Sequence, residues 1–419
     1  RRVVTMRHAW PLALALLAAL AFSVAARVAA AAPPVLLRAA RRGRALAQAA
    51  PPAPRAEGPC DGWCAANASE GGDEPGGLPA CRATLKVAVA MPYAHGLSPQ
   101  RATRAASALL ACQHLRELDG RVVGANTAQR IREAGLGLEC ELYDTQFDAQ
   151  AGLNAALEAV VSNESHALVG SARSAVTGPM SEVTTFFGVP QVSHASTASD
   201  LTRSGKLLAR TVISDASVAV VTAELVVSLD WSYVAFFAPN DEYGLGWKAD
   251  FELAAAARNI TLLASEVYET SSDSTPASAA SVMRAINSTR ATIIVGIMFS
   301  QDAEAIFASA DYYGLLEEGF AWITADGLTA AALEEASDPE TLSRRMTGLL
   351  QVVADPTLSP LFGEMVAARY EAPTCIYLGD DTLQELDTVA LANGGIHPFA
   401  AYAYDAVWAL ALAATEVDP

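Results

Sequence analysis

Lysine is nearly missing from this chain. Only Lys86, Lys206 and Lys248 occur among its 28 basic residues, which leaves few positions for lysine-based covalent or phosphate-gripping chemistry. Net positive charge is missing too, since 46 Asp and Glu outweigh those 28 for a formal net charge of −18. The imbalance deepens beyond the N-terminus: residues 1–55 carry nine Arg and no acid, leaving 19 basic against 46 acidic groups in the rest. A body that acidic repels a phosphate backbone, so no nucleic-acid partner is expected. The signatures of common enzyme sites are absent as well. The first apolar run is followed by Pro92-Tyr-Ala-His-Gly-Leu-Ser-Pro99, without Gly-x-Gly-x-x-Gly, and the P-loop, His-Glu-x-x-His and Gly-x-Ser-x-Gly patterns do not occur. Gly244-Leu-Gly246 is a lone Gly-x-Gly, better read as a turn at a helix start. Asp380-Asp381 reads as a solvated pair in a polar loop, and His194 has no placed carboxylate or nucleophile beside it. Cys60-x-x-x-Cys64 lacks the His or second Cys pair that would complete a zinc tetrahedron. The expectation is no enzyme, no cofactor and no metal.

Long apolar runs are missing after the N-terminus. Met6 is the expected translated start, followed by Arg7 and His8, an apolar run from Trp10 to Ala26 and small residues up to Ala32. That order describes a secretory signal peptide over residues 1–32, with a signal-anchor helix as the alternative. Residues 33–83 are Pro/Ala/Arg-rich and then Cys-containing, read as a disordered linker or pro-segment leading to an N-terminal Cys segment. Asn-x-Ser/Thr at Asn67, Asn163, Asn259 and Asn287 fits passage through the secretory pathway. So do six cysteines (Cys60, Cys64, Cys81, Cys112, Cys140, Cys375), an even number suited to disulfides whose pairing the spacing does not choose.

What the chain does have is a repeating unit, a short apolar run followed by an amphipathic stretch. Leu85–Met91, Leu136–Tyr143, Ala167–Gly170 and Val189–Val192 predict strands, with helices over Pro99–Leu118, from Asp148 to about Val161, and from about Thr177-Gly178-Pro179. The pattern then restarts. Strands are predicted at Tyr233–Phe237, Leu262–Val267, Thr292–Met298, Ala321–Thr324 and Thr347–Val353, with helices at Ala216–Ser228, Gly246–Arg258, Pro276–Ile286, Asp302–Tyr313 and near Thr329–Ala336. Strands such as Thr292-Ile-Ile-Val-Gly-Ile-Met298 are apolar throughout, as parallel strands covered on both faces are. The fold class is therefore α/β: two doubly wound, Rossmann-like lobes with a hinged cleft between them. The first lobe is expected over 84–214, the second over 215–353, and the helix-rich 354–419 returns to the first lobe.

Polar residues gather where strands end and helices begin. Gly170-Ser-Ala-Arg-Ser-Ala-Val176 and Ser193-His-Ala-Ser-Thr-Ala198 place hydroxyls and amide N–H groups where a carboxylate or phosphate would be held. From the second lobe, Asn240–Tyr243 and Asp326-Gly327 offer a carboxylate and an aromatic ring suited to an ammonium group. A zwitterionic amino acid satisfies both sides.

Val189-Pro-Gln-Val-Ser-His-Ala-Ser-Thr-Ala-Ser-Asp-Leu201, Arg210-Thr-Val-Ile-Ser-Asp215, Trp231-Ser-Tyr-Val, Asn240-Asp-Glu-Tyr-Gly244, Ala321-Trp-Ile-Thr-Ala-Asp-Gly327 and Tyr404-Asp-Ala-Val-Trp-Ala-Leu-Ala-Leu412 resemble, in order, the receptor family ligand-binding region. This is the Venus-flytrap ectodomain with the type I periplasmic-binding-protein fold, and the likeness runs over about 84–415. The pocket looks most like that of metabotropic glutamate receptors. The resemblance implies that Ser174 and the Ala195-Ser196-Thr197 turn hold an α-carboxylate, and that Asp215, Tyr243 and Asp326 surround the α-ammonium. Arg104 falls near the position of a distal acid group, with Arg101 an equal candidate, while the family's lower-cleft Lys has no counterpart. It further implies a small-molecule ligand, an α-amino acid, bound by cleft closure; a homodimer formed through the first lobe; and exposure outside the plasma membrane. Membrane attachment would come through a segment beyond this sequence, which is expected to be a receptor fragment with an exposed apolar face on its first lobe. The alternatives are a peptide-binding ectodomain of natriuretic type, a ligand-free dimerisation module and a secreted solute carrier.

Overall fold

The computed structural model describes residues 83–93, 99–202, 205–270, 274–371, 380–393 and 395–416. The signal-peptide and linker readings, Asn67, and Cys60, Cys64, Cys81 and Cys375 fall outside these residues. Two five-stranded parallel sheets organise the chain. The first contains β1 (Ala83–Met91), β2 (Leu136–Asp144), β3 (Ala167–Gly170), β4 (Gln191–Ser193) and β5 (Leu208–Arg210), in the spatial order β2-β1-β3-β4-β5. The second contains β6 (Tyr233–Pro239), β7 (Thr261–Tyr268), β8 (Ile293–Gly296), β9 (Ala321–Thr324) and β10 (Leu350–Gln351), ordered β10-β9-β8-β6-β7. Numbered from its own first strand, each sheet has the order 2-1-3-4-5. Each is thus doubly wound, with its reversal of strand order beside its first strand.

Residue parity explains why both sheets are covered on both faces. In β1, Val87, Val89 and Met91 point into one core while Ala88 and Ala90 point into another. In β6, Ala235 and Phe237 enter one core, and Val234, Phe236 and Ala238 enter the opposite one. A strand apolar at every position needs helices on each side, and they are present. The first lobe's helices before the chain crosses are α1 (Pro99–Glu117), α2 (Ala125–Ala134), α3 (Ala149–Leu157) and α4 (Ser174–Phe186). The second lobe carries α5 (Asp215–Ser228), α6 (Glu242–Ala256), α7 (Thr275–Thr289), α8 (Ala303–Tyr312), α9 (Ala331–Glu335) and α10 (Pro339–Arg345). After β10 the chain continues as α11 (Pro360–Glu371), α12 (Asp381–Ala392) and α13 (Ala400–Ala414). Residues of all three, among them Met365, Leu383 and Trp408, join the core formed by β1 and α1, and a fully buried Arg369–Asp387 ion pair ties α11 to α12.

Several boundaries differ from the sequence reading. Helix α4 begins at Ser174, so Pro179 lies inside it rather than in its first turn and denies a bond to the carbonyl one turn back. The strand expected from Val189 starts at Gln191 because Pro190 supplies only a carbonyl, which accepts from Leu168 N–H. The Thr347–Val353 strand shrinks to Leu350–Gln351, an exposed edge paired only with β9. Asp380-Asp381 is a helix start and not a loop: Asp380 Oδ1 accepts from Leu383 N–H at 2.8 Å and caps α12. The helices α2, α10 and α12 and the short strand β5 were not anticipated. Asp148 does cap α3, accepting from Ala151 N–H at 2.8 Å, but the helix ends in a π turn over Glu158–Ser162. Cys112 on α1 and Cys140 on β2 form a disulfide, one pairing among those the sequence left open. Among the described residues no helix is long and apolar enough to cross a membrane.

Candidate functional site

The carboxyl ends of both sheets face one another, which is where ligands bind in open α/β folds. Gly170 closes β3 with φ 142°, and a side chain there would collide with Ala90 O at 1.9 Å. The loop beyond it is locked by hydroxyls. Ser171 N–H donates to Thr177 Oγ1 at 3.0 Å, Thr177 Oγ1 meets Ser196 Oγ at 2.7 Å, and Ser196 Oγ donates to Ser171 O at 3.2 Å. Ser193 Oγ also donates to Ser171 O and receives the Ser196 N–H at 3.0 Å. Ala198 N–H donates to Ser174 Oγ at 3.2 Å. Arg210 on β5 holds the far side of the turn, its Nη1 lying 2.9 Å from Thr197 O and 2.8 Å from Ala198 O.

The structure thus brings Ser174, Ala195, Ser196 and Thr197 together on one rigid wall. It also changes what they can do. The Ser196 hydroxyl is spent on Ser171 O, and the Ser196, Ala198, Val176 and Thr177 amides donate within the wall, whereas Ser174 Oγ only accepts and keeps its O–H as a donor for an anion, beside the amides that open α4.

Opposite stands a pair of carboxylates. Asp215 opens α5, is fully buried, and donates its N–H across the lobes to Thr197 O at 2.9 Å. The side chains of Thr197, Trp247 and Arg210 face its carboxylate, yet neither oxygen is closed by a well-aligned hydrogen bond, and Trp247 Nε1 is unpaired too. Asp326 follows β9 and accepts from Tyr243 OH at 2.9 Å. Tyr243, in the first turn of α6, packs against Phe299 with centroids 5.2 Å apart and ring planes tilted by 34°. Gly327 allows this close arrangement, since a side chain there would meet Met298 O at 2.5 Å and Tyr243 OH at 3.1 Å. Burial pushes the Asp215 carboxyl well above the usual carboxylate range, with the Asp326 charge adding to the rise. Burial raises Asp326 as well, partly offset by the Tyr243 hydrogen bond. Two desolvated carboxylates facing each other favour either a shared proton or a cation between them.

Arg101 and Arg104 both sit over the Phe147 ring, each 5.4 Å from its centroid, but they diverge from there. Arg101 crosses to the second lobe and pairs with Glu335 at 3.0 Å and Gln301 at 3.4 Å. Arg104 stays in the first lobe, nearly fully buried, with one terminal nitrogen unpaired, and burial beside Arg101 lowers its pKa to about 9. A second bridge closes the rim: Arg173 pairs with Asp241 at 3.1 Å and lies 4.2 Å over the Phe299 ring. Two ion pairs thus join the lobes across the rim.

Each of the eight predicted residues lies at this interface or just behind it. Sequence reasoning assigned no role to Arg210, Trp247, Arg173 or Phe299. The first two stand in or near quoted motifs, Arg210 beginning the segment that ends at Asp215. Arg173 lies in the Gly170–Val176 loop beside Ser174, but its cross-lobe partner is 68 residues away and no spacing rule connects them. Among the described residues there is no cluster of potential metal ligands.

Residues 129–418 match the family model described as the receptor family ligand binding region. Over 111 residues the chain is 35% identical to a probable metabotropic glutamate receptor, mgl-1, of Caenorhabditis elegans, covering 26% of this chain and 11% of that protein. It is 29% identical over 164 residues to a metabotropic glutamate receptor of Drosophila melanogaster, covering 38% and 16%. It is 35% identical over 80 residues to metabotropic glutamate receptor 6 of Oryctolagus cuniculus, covering 19% and 9%. The matched segments are a small part of each of these relatives.

Proposed function

The chain belongs to the receptor family of ligand-binding regions, and from that membership we propose that it is the extracellular part of a membrane receptor that senses a small α-amino acid by closing its cleft. The observation that carries the amino-acid reading is the Asp215–Asp326 pair, one carboxylate buried and the other partly buried and hydrogen-bonded to Tyr243, each raised by desolvation. An α-ammonium placed there replaces the mutual repulsion with charge-assisted hydrogen bonds, and the Tyr243 ring adds a cation–π face. The α-carboxylate then lies toward Ser174 and the Ala195–Thr197 turn, received by the Ser174 O–H and by amides not already used within the turn.

Closure follows from where the groups sit. The anion donors belong to the first lobe, and Asp326 and Tyr243 belong to the second, so a zwitterion contacts both sets only when the lobes approach. A ligand with that differential affinity shifts the open–closed equilibrium toward the closed form. The signal would pass through a homodimer of first lobes to a membrane module outside this sequence.

A thermal-unfolding screen of the secreted chain against each L-amino acid tests the reading. A ligand at about 100 times its Kd adds about 2.7 kcal/mol and raises the midpoint visibly. Folded protein whose midpoint moves with no amino acid would remove the amino-acid reading and favour a peptide-binding or ligand-free ectodomain.

A further inference from the structure

Where α6 meets the first lobe, glycines bring the two surfaces together. A side chain at Gly178, within α4, would lie 2.5 Å from Glu242 Oε2 and 3.2 Å from its Cδ, so the Glu242 carboxylate rests against the α4 backbone. One turn along α6, a side chain at Gly246 would come to 3.6 Å from the Cβ of Ala198, which is fully buried in the first lobe. Glu242 opens α6, is partly buried, and makes no hydrogen bond or ion pair among the described residues. A carboxylate in the first turn of a helix is ordinarily favoured in its charged form. This one is instead desolvated by a wall that belongs to the other lobe. Both contacts adjoin groups assigned to the ligand: Glu242 precedes Tyr243, Ala198 follows Thr197, and α4 begins at Ser174.

We propose that Glu242 and Gly178 form a proton-sensitive latch between the lobes: protonating Glu242 favours the joined lobes and so tightens the hold of the cleft on its ligand.

The charges around Glu242 support this direction. Lys206, Asp200 and Glu182 face it from the first lobe, and Asp241 from its own. The one cation among them, Lys206, is already paired with Glu182 at 3.0 Å, and Asp241 is paired with Arg173 at 3.1 Å. Burial raises the Glu242 carboxyl above its usual range; Lys206 opposes the rise, and the charges of Asp241, Asp200 and Glu182 add to it. Parting the lobes removes the α4 wall and returns the carboxyl toward the ordinary range. The joined form therefore holds the proton more tightly, so joining is favoured as pH falls through the raised range and levels off below the ordinary one. Protonating Asp215 or Asp326 has the opposite effect on an amino-acid ligand, because it removes the partners of the ammonium. The inference rests on the lobe-closing part of the proposed function and not on the identity of the ligand.

The test is small-angle scattering of the ligand-free chain and its Glu242→Gln variant at pH 8 and pH 5. Both are also measured in an Arg101→Ala, Arg173→Ala background, where loss of the rim pairs lets the lobes part more readily. Gln has the shape and charge of the protonated acid, so at pH 8 Glu242→Gln should be more compact than the native chain, and at pH 5 the difference should largely vanish. Uptake of one proton on joining changes the ratio of joined to parted chains by up to about tenfold for each pH unit. Gly178→Ala suits a helix and keeps α4 intact, but its methyl displaces the carboxylate, so in that variant the effect of Glu242→Gln should disappear. The latch is overturned if Glu242→Gln matches the native chain at pH 8 in both backgrounds, if its effect is as large at pH 5, or if Gly178→Ala leaves the effect whole. The predicted scattering response with no amino acid shifting the unfolding midpoint would keep this inference and remove the amino-acid reading. Amino-acid binding with no difference between Glu242→Gln and the native chain would do the reverse.

Discussion

Asp405 on α13 should make the fold lose stability as pH rises. It borders an apolar recess with Val122, Val123, Pro356, Phe362 and Met365, where the chain returns from the second lobe to the first. Burial raises its pKa from the usual 3.8 to about 7. The folded form therefore prefers the neutral acid, and its cost is absent below the unfolded value and complete above the folded one. A shift of about three units corresponds to roughly 4 kcal/mol, an upper bound because the residue keeps some contact with water. Linkage puts the cost at about 2 kcal/mol at pH 5 and about 4 kcal/mol at pH 8. Asn has nearly the shape of the protonated acid, so Asp405→Asn should stabilise the chain, and by more at pH 8 than at pH 5. Urea unfolding of both proteins at the two pH values measures the difference directly. An equal gain at both, or no gain, would refute the argument that burial of this carboxylate is uncompensated.

The rim bridges set the resting position of the lobes. Arg173→Ala with Arg101→Ala removes two partly buried pairs of about 1 kcal/mol each, so the open fraction should rise by roughly tenfold or more, seen as a larger radius of gyration in small-angle scattering that ligand reverses. An unchanged radius would mean the pairs do not hold the cleft. The Cys112–Cys140 disulfide spans 28 residues of sequence, and loop closure of that size is worth about 3–4 kcal/mol, so the Cys112→Ala, Cys140→Ala double variant should unfold at correspondingly lower denaturant. Of the described sequons, Asn259 and Asn287 are exposed, whereas the Asn163 amide is half-buried and donates to Tyr143 OH. Mapping glycans on secreted protein should find Asn259 and Asn287 occupied more fully than Asn163.

The sheets were legible because parallel strands buried on both faces cannot alternate, and runs such as Thr292–Met298 stand out against any background. Ala167–Gly170 and Ala321–Thr324 were placed without error for the same reason. What escaped detection was short, polar or exposed. The helix α2 (Ala125–Ala134) buries only Ala128 and Ile131, too few apolar positions to announce a period, and β5 has no fully buried residue. Pro179 misled because proline marks first turns more often than helix interiors, and here packing of Val176 and Met180 against α3 carries the helix through it. The site was half legible. Residue types at strand ends pointed to an anion on one side and a cation on the other, and the structure places those residues together. The internal use of the Ser196 hydroxyl, the acceptor role of Ser174 Oγ and the Arg210 clamp depend on contacts between segments apart in sequence, which no local pattern encodes.

The most direct test of the account compares, by calorimetry, the best amino-acid ligand with the same molecule lacking its α-ammonium, on the native chain and on Asp326→Asn. Breaking a buried charge pair costs about 2–5 kcal/mol, so removing the ammonium should weaken binding to the native chain by roughly 30-fold or more. Asp326→Asn should lose most of that preference, having removed the group that reads it. Equal affinity for the two molecules on the native chain would contradict the assignment of Asp215, Tyr243 and Asp326 as the ammonium site, and with it the claim that this cleft recognises amino acids.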